Sequence, residues 1–151
     1  MLETNIDDMN PEFYGYVMER AFDEGALDVF MTPIIMKKNR PGIKLSLLCE
    51  EKDMEGLEQL ILSETTTLGL RKYPVERSIL ERKSLMLKTK YGMVSVKVGS
   101  LKDGQAKYAP EYEECREIAQ SLGIPIKKVY EDISFEAKEF LEELNNEHES
   151  K

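Results

Sequence analysis

Residues able to do chemistry gather at four places in this sequence. Asp7 and Asp8 stand side by side where the run Leu2 to Ile6 gives way to Asn10 and Pro11. Lys37, Lys38, Asn39 and Arg40 form a basic turn, and Thr65, Thr66 and Thr67 are followed by Arg71. Lys107 precedes Glu111, Tyr112 and Glu113. Carboxylates suit a hard divalent cation, while cations and hydroxyls suit phosphate, so the four groups hold the parts of a metal–nucleotide site. The same residues also have plain structural uses. Aspartates satisfy free N–H groups at a helix start, lysines blunt a hairpin edge, β-branched threonines stop a helix and glutamates complement its dipole. Asn10 followed by Pro11 reads as an N-cap and first helical residue, which leaves the two aspartates free for other work.

The elements that must position these groups follow from periodicity. Residues 10–25 carry Phe13, Val17 and Ala21 at helical spacing, flanked by Tyr14, Met18 and Phe22, with Gly25 expected as the C′ residue. Residues 27–36 and 43–49 read as strands around the basic turn 37–42, and Pro33 demands an edge strand or a bulge. Asp53 is placed to cap a helix whose buried face is Met54, Leu57, Leu60 and Ile61. Residues 70–80 read as extended. This β-α-β-β-α-β order makes residues 1–81 a ferredoxin-like subdomain.

Residues 82–151 read as a ββαα subdomain packed with the first as one unit, giving an α+β fold class. A hairpin turns at Tyr91 and Gly92, and 102–108 is a polar loop. Pro110 opens a helix with Tyr112, Cys115, Ala119 and Leu122 on one side. A long helix over 125–144 keeps Ile126, Val129, Tyr130, Ile133, Ala137, Phe140, Leu141 and Leu144 on one face.

Composition removes several function classes. The 151 residues are 41% hydrophobic, enough for a core, yet no apolar run approaches the roughly 20 residues of a membrane helix. No charged-then-apolar leader opens the sequence, so the cytoplasm is the expected compartment and no membrane partner is expected. Cys49 and Cys115 lack CxxC spacing and read as reduced and buried. The single histidine, His148, rules out histidine triads and histidine-rich metal centres. Neither GxxxxGK[ST] nor GxGxxG occurs, so a nucleotide must be held by scattered side chains and loop N–H groups.

The formal charge of −8 is unevenly spread: residues 131–151 hold eight acidic side chains against two lysines, and residues 71–107 hold ten basic against three acidic. That basic middle can face an anion. It does not read as a nucleic-acid surface, because the strand Met93 to Val98 lacks the aromatic pair that stacks bases. The exposed β faces of two-layer folds often meet a partner chain, and a homo-oligomer, a trimer, is expected.

Four stretches in order, Glu3-Thr4-Asn5-Ile6-Asp7-Asp8-Met9, Met36-Lys37-Lys38-Asn39-Arg40-Pro41-Gly42, Thr65-Thr66-Thr67-Leu68-Gly69-Leu70-Arg71 and Ala109-Pro110-Glu111-Tyr112-Glu113-Glu114-Cys115, closely resemble the C-terminal domain of the LarC family. That family inserts nickel during synthesis of the lactate racemase cofactor. The resemblance implies a nickel chelatase or cyclometallase of the lyase class. Its substrate is pyridinium-3,5-bisthiocarboxylic acid mononucleotide, its nickel is a substrate metal, and it requires CTP with Mg²⁺ or Mn²⁺. It implies that Asp7 and Asp8 act near the divalent metal or as the base for the ring proton. Lys37, Lys38, Arg40, Thr66, Thr67 and Arg71 then meet phosphates, and Glu111, Tyr112 and Glu113 line the site with Cys115 nearby. Full family members carry a histidine-rich N-terminal domain that this sequence lacks, so that nickel-binding domain is an expected partner. A reading of another class stays beside this one: a non-enzymatic ferredoxin-like regulatory module binding a small anion or nucleotide.

Overall fold

Alternating strands in the first half pair into a four-stranded antiparallel sheet. A computed structural model describes the backbone of residues 1–101 and 105–149, and their side chains up to residue 143. The chain divides into two compact units, Met1–Arg77 and Ser78–Lys151. In the first, β1 (Leu2–Ile6), α1 (Phe13–Asp23), β2 (Asp28–Met36), β3 (Arg40–Leu48), α2 (Met54–Glu64) and β4 (Arg71–Lys72) follow in order. The sheet order is β2-β3-β1-β4, the ferredoxin-like arrangement.

One face of this sheet carries the core. Leu2, Leu45, Leu47, Val29, Val17, Ala21, Leu57, Leu60 and Ile61 are buried together. The opposite parity holds polar residues: Glu3 pairs with Ser46 on β3 and Arg71 on β4, and Asn5 pairs with Lys44. Pro33 is tolerated because β2 is an edge strand. Gly42 is required where it stands, since a Cβ there would lie 2.8 Å from the Ile6 carbonyl oxygen and 2.7 Å from Met36 Sδ.

Several local expectations are corrected. Regular helix in α1 begins at Phe13, after a turn in which the Glu12 N–H donates to Asn10 Oδ1 at 3.2 Å. Asn10 therefore braces the turn before the helix and is not its N-cap: that position is Glu12, and Pro11 lies in the turn and is not the first helical residue. Phe13 and Phe22 lie on the exposed side of α1, and the buried face is Tyr14, Val17 and Ala21. Gly25, at φ +96°, ends the helix as C′, with its N–H donating to the Phe22 carbonyl and that of Ala26 to the Ala21 carbonyl. Asp53 makes no side-chain capping bond; a 3₁₀ turn, Glu51–Asp53, enters α2 instead. The basic turn is only Lys37–Asn39, because Arg40 and Pro41 already pair with Met36 and Ile35. Within the extended run 70–80 the strand is only Arg71–Lys72, followed by one exchange in which the Tyr73 N–H donates to the Met1 carbonyl at 3.1 Å and the Met1 amine to the Tyr73 carbonyl at 2.9 Å, and Pro74, lacking an N–H, cannot continue a ladder.

The second unit holds β5 (Glu81–Thr89), β6 (Gly92–Ser100), β7 (Ala106–Pro110), α3 (Tyr112–Leu122) and α4 (Ile126–Glu149), with sheet order β5-β6-β7. The strand β7 falls largely in the expected polar loop 102–108, of which residues 102–104 lie outside the described residues. Ala106, Tyr108 and Pro110 alternate inward along it, so Pro110 ends a strand and does not open α3. Tyr112 and Leu122 are exposed, leaving Cys115 and Ala119 as the buried face of α3. On α4 the buried residues are Val129, Ile133 and Ala137, while Tyr130 and Phe140 are exposed. Ser134 does not break this helix, because its hydroxyl donates to the Tyr130 carbonyl at 2.7 Å. Among the described residues no helix is long and apolar enough to cross a membrane.

Candidate functional site

The end of β1 brings three of the four chemical groups together. Asp7 Oδ2 accepts a 3.3 Å contact from Arg40 at the start of β3. Asp8 Oδ1 accepts a 2.5 Å bond from the Thr66 hydroxyl, on the segment leaving α2. The two carboxylates are thus held by different neighbours, Asp7 on the β3 side and Asp8 on the α2 side. Each keeps one oxygen without a protein donor among the described residues.

The threonine segment is built by its own hydroxyls. Thr65 Oγ1 donates to the Ile61 carbonyl at 2.6 Å and accepts the Thr67 N–H, stopping α2. Thr67 Oγ1 lies 2.6 Å from Thr4 Oγ1 on β1 and donates to the Gly69 carbonyl at 2.8 Å. Thr66 alone turns its hydroxyl to an aspartate. The helix-stopping and site-forming readings of the threonines therefore apply to different residues of the same trio.

The basic turn has an unusual backbone. Lys38 and Asn39 adopt φ values of 61° and 58°. Asparagine visits the left-handed region readily, whereas a lysine there stores strain of about 1 kcal/mol. Neither Lys37 nor Lys38 pairs with a carboxylate among the described residues, so two ammonium groups stay available at this tip.

Arg71 is engaged differently from the expectation of a free phosphate contact. Its Nε donates to Glu3 Oε2 at 3.2 Å and its Nη2 to Asn5 Oδ1 at 2.8 Å. Glu3, only 7% exposed, also receives Ser46 at 3.0 Å and Lys44 at 3.1 Å. Burial pushes its carboxyl up, but hydrogen bonds from Lys44, Ser46, Arg71 and Tyr73 outweigh it and hold the pKa at about 2. Nothing in the local sequence marks Glu3. The signal for it is register: Glu3, Asn5, Lys44, Ser46 and Arg71 share one parity across three neighbouring strands.

Beside Asp7 lies a cleft of about 880 Å³ between the N-terminal half of α1 and the β2–β3 hairpin. Its walls include Met9, Tyr14, Met31, Pro33, Ile35 and Ile43. Burial, and the charge of Asp8, raise the Tyr14 phenol above its usual range, keeping it protonated.

Glu111, Tyr112 and Glu113 lie at the start of α3 in the second unit. Glu111 pairs with Lys97 at 2.7 Å, Glu113 with Arg116 at 2.7 Å, and Tyr112 is exposed. Glu114 accepts the Ser95 N–H at 2.8 Å. Cys115 is fully buried, and burial with the Glu114 and Glu111 carboxylates pushes its thiol up, so it is a packed thiol and not a thiolate.

Among the described residues no three histidine, cysteine, aspartate or glutamate side chains converge into a metal cage. The adjacent Asp7 and Asp8 offer hard oxygen donors, and magnesium-type ions take one or two carboxylates and complete their shell with substrate phosphates and water. That donor set fits a metal arriving with a nucleotide.

A family model described as nickel insertion protein matches residues 1–130. A pyridinium-3,5-bisthiocarboxylic acid mononucleotide nickel insertion protein of Acetivibrio thermocellus is 53% identical over 134 residues, covering 89% of this chain and 33% of that protein. The protein of the same description from Clostridium kluyveri is 55% identical over 130 residues, covering 86% and 33%. The chain therefore spans about a third of the length of these relatives. Among solved structures, the C-terminal domain of a cyclometallase involved in synthesis of the NPN cofactor of lactate racemase, in its apo form, superposes with a TM-score of 0.85 at 43% identity. That match covers 91% of this chain and 94% of the other. A Methanopyrus kandleri protein superposes with a TM-score of 0.62 at 27% identity, covering 85% and 80%.

Proposed function

Since this chain belongs to the nickel insertion protein family, we propose that it is the metal–CTP-binding part of an enzyme that inserts nickel into pyridinium-3,5-bisthiocarboxylic acid mononucleotide. The observation that carries this reading is the cluster at the end of β1. Two carboxylates each with an oxygen free among the described residues, a bound threonine hydroxyl and two lysines without a carboxylate partner among those residues, on a strained turn, lie within one unit. These are ligands for a divalent ion and for the phosphates it carries.

In this reading Asp8, oriented by Thr66, and Asp7, oriented by Arg40, hold the Mg²⁺ or Mn²⁺ that enters with CTP. The ion's chemistry is to neutralise phosphate charge and polarise the bond that is hydrolysed. Lys37, Lys38 and Arg40 meet phosphate oxygens, and Thr67, whose hydroxyl and N–H already serve the Gly69 carbonyl and Thr65 Oγ1, supports the cradle by shaping the segment that carries Thr66. Arg71 acts at one remove, because its donors already serve Glu3 and Asn5. A nucleotide role for Glu111, Tyr112 and Glu113 of the second unit is a separate proposal and no part of this cluster. Nickel is the substrate metal, the mononucleotide is the acceptor, and a nickel-binding N-terminal domain and a homotrimer are the proposed partners.

A thermal-shift series with CTP, ATP and GTP, each with and without Mg²⁺ or Mn²⁺, tests the nucleotide part. A ligand at a hundred times its Kd adds about 2.7 kcal/mol of stability, a shift of several degrees for a domain of this size. The reading expects that shift with CTP and metal only. A shift with any small anion and no metal dependence would favour the regulatory-module alternative. Activation of apo lactate racemase, with nickel, acceptor and CTP supplied, tests the insertion itself.

A further inference from the structure

A polar pocket of about 390 Å³ opens between β1 and the segment after α2, walled by Glu3, Thr4 and Asn5 on one side and by Thr67, Gly69 and Arg71 on the other. That volume lies within the range of small-molecule sites. The pocket adjoins the metal–nucleotide cluster twice. Asn5 stands two residues before Asp7, and Thr67 follows Thr66, whose hydroxyl holds Asp8.

The hydrogen-bond acceptors on these walls are taken. Glu3 Oε1 receives Ser46 and Lys44, and Oε2 receives Arg71. The Thr4 and Thr67 hydroxyls lie against the Gly69 carbonyl oxygen at 3.0 and 2.8 Å. Asn5 Oδ1 accepts from Arg71 Nη2 at 2.8 Å. A guanidinium carries only donors, so the amide oxygen must be the atom that faces it and the Asn5 NH₂ group must face away. That NH₂ group has no protein partner among the described residues. Asn5 is exposed in a strand, where asparagine is a poor choice for folding. The buried Glu3 carboxylate anchors Arg71, Arg71 fixes the amide, and the amide offers a donor on a wall whose acceptors are spent.

Beyond its phosphates a nucleotide brings a ribose and a base. Each ribose hydroxyl needs an acceptor for its proton, and these walls have none to spare. A cytosine edge suits them better, because both its O2 and its N3 are acceptors. Uracil has the same size but carries a donor, N3–H, at the second of these positions. An amide that cannot turn over pairs with cytosine N3 and meets uracil N3–H donor to donor. We propose that Asn5 reads the base of the nucleotide bound at Asp8 and selects cytosine over uracil, with Arg71 as the residue that positions its amide. The inference rests on the metal–nucleotide function proposed above and supplies that site with its base-selecting residue.

Calorimetric titration of the full chain with CTP, UTP and 2′-deoxy-CTP, each with Mg²⁺, tests it. CTP should bind at least about tenfold more tightly than UTP, with 2′-deoxy-CTP close to CTP. Asn5→Asp keeps an oxygen for Arg71 and turns a second acceptor towards the base, so UTP should become the tighter ligand. The added negative charge weakens both triphosphates alike, which leaves their ratio as the readout. Arg71→Ala frees the amide to turn over and should bring the ratio close to one, whereas a merely structural role for Arg71 would weaken CTP and UTP equally. If Arg71→Ala does not fold, the inversion in Asn5→Asp decides alone. Equal affinities for CTP and UTP in the wild type, or an unchanged ratio in Asn5→Asp, overturn the base assignment. A loss confined to 2′-deoxy-CTP gives the pocket to the ribose and overturns it too. In each of these cases metal-dependent binding of the triphosphates keeps the proposed nucleotide site, and only the absence of binding by every nucleotide removes both.

Discussion

The Thr66 hydroxyl reaches Asp8 Oδ1 at 2.5 Å across 58 residues of sequence, tying the segment after α2 to the end of β1. Both residues are exposed, so the bond adds little to folding and is placed to orient a carboxylate. Hydrogen bonds to charged groups contribute about 1.5–3 kcal/mol when formed away from competing water. Thr66→Val should therefore weaken metal–CTP binding about tenfold and leave the unfolding midpoint nearly unchanged. Titration calorimetry beside a thermal melt checks both halves of that statement.

The Lys38 turn separates strain from charge. Lys38→Gly removes a left-handed lysine, and should stabilise the first unit by up to about 1 kcal/mol while lowering CTP affinity, because one ammonium is lost. Asn39→Gly relieves the neighbouring position without removing charge and should leave affinity as it is. Equal losses in both variants would mean that the backbone, not the ammonium, is what the nucleotide needs.

The Glu3 network predicts a pH dependence. The folded carboxyl titrates at about 2 against an ordinary value of 4.5. A depressed acid contributes stability that is fully present above its unfolded pKa and is lost as pH falls through the folded one. Urea unfolding should thus show stability falling from about pH 5 downward, and Glu3→Gln should flatten that fall while lowering stability at pH 7. A variant with the wild-type acid slope would place the loss elsewhere.

Gly42 makes a steric prediction. Its missing Cβ would lie 2.8 Å from a backbone oxygen of β1, which cannot move without breaking the pairing of Ile6 with Ile43. Gly42→Ala should cost about 1–3 kcal/mol, as over-packing does, and loosen the hairpin that carries Lys38 and Arg40. Chemical denaturation measures the cost, and CTP titration of the folded fraction measures the consequence.

The first unit was legible because its signals are local. Val17, Ala21 and Gly25, or Leu57, Leu60 and Ile61, announce a buried helical face and its end without reference to anything distant. Asp7, Asp8 and the Thr66 segment were legible as chemistry for the same reason, since consecutive polar residues at element ends are visible in one dimension. Strand β7 was not, because its alternation of Ala106, Tyr108 and Pro110 is short and uses weak strand formers. The Glu3 network was invisible too. It exists only once three strands are in register, and no single segment hints that Arg71 will be spent on Glu3 and Asn5. Phe13 and Phe22 mislead in the other direction: they flank a helical stripe as core aromatics do, yet the buried line of α1 is only Tyr14, Val17 and Ala21.

The central claim, that the carboxylates at the end of β1 hold a metal-bound CTP, is tested most directly by calorimetric titration of CTP into the chain and into its Asp8→Asn variant, with and without Mg²⁺. The account predicts saturable binding to the wild type that requires the metal and falls at least tenfold in the variant, with both proteins folded alike. Metal-independent binding, or unchanged affinity in Asp8→Asn, would contradict it.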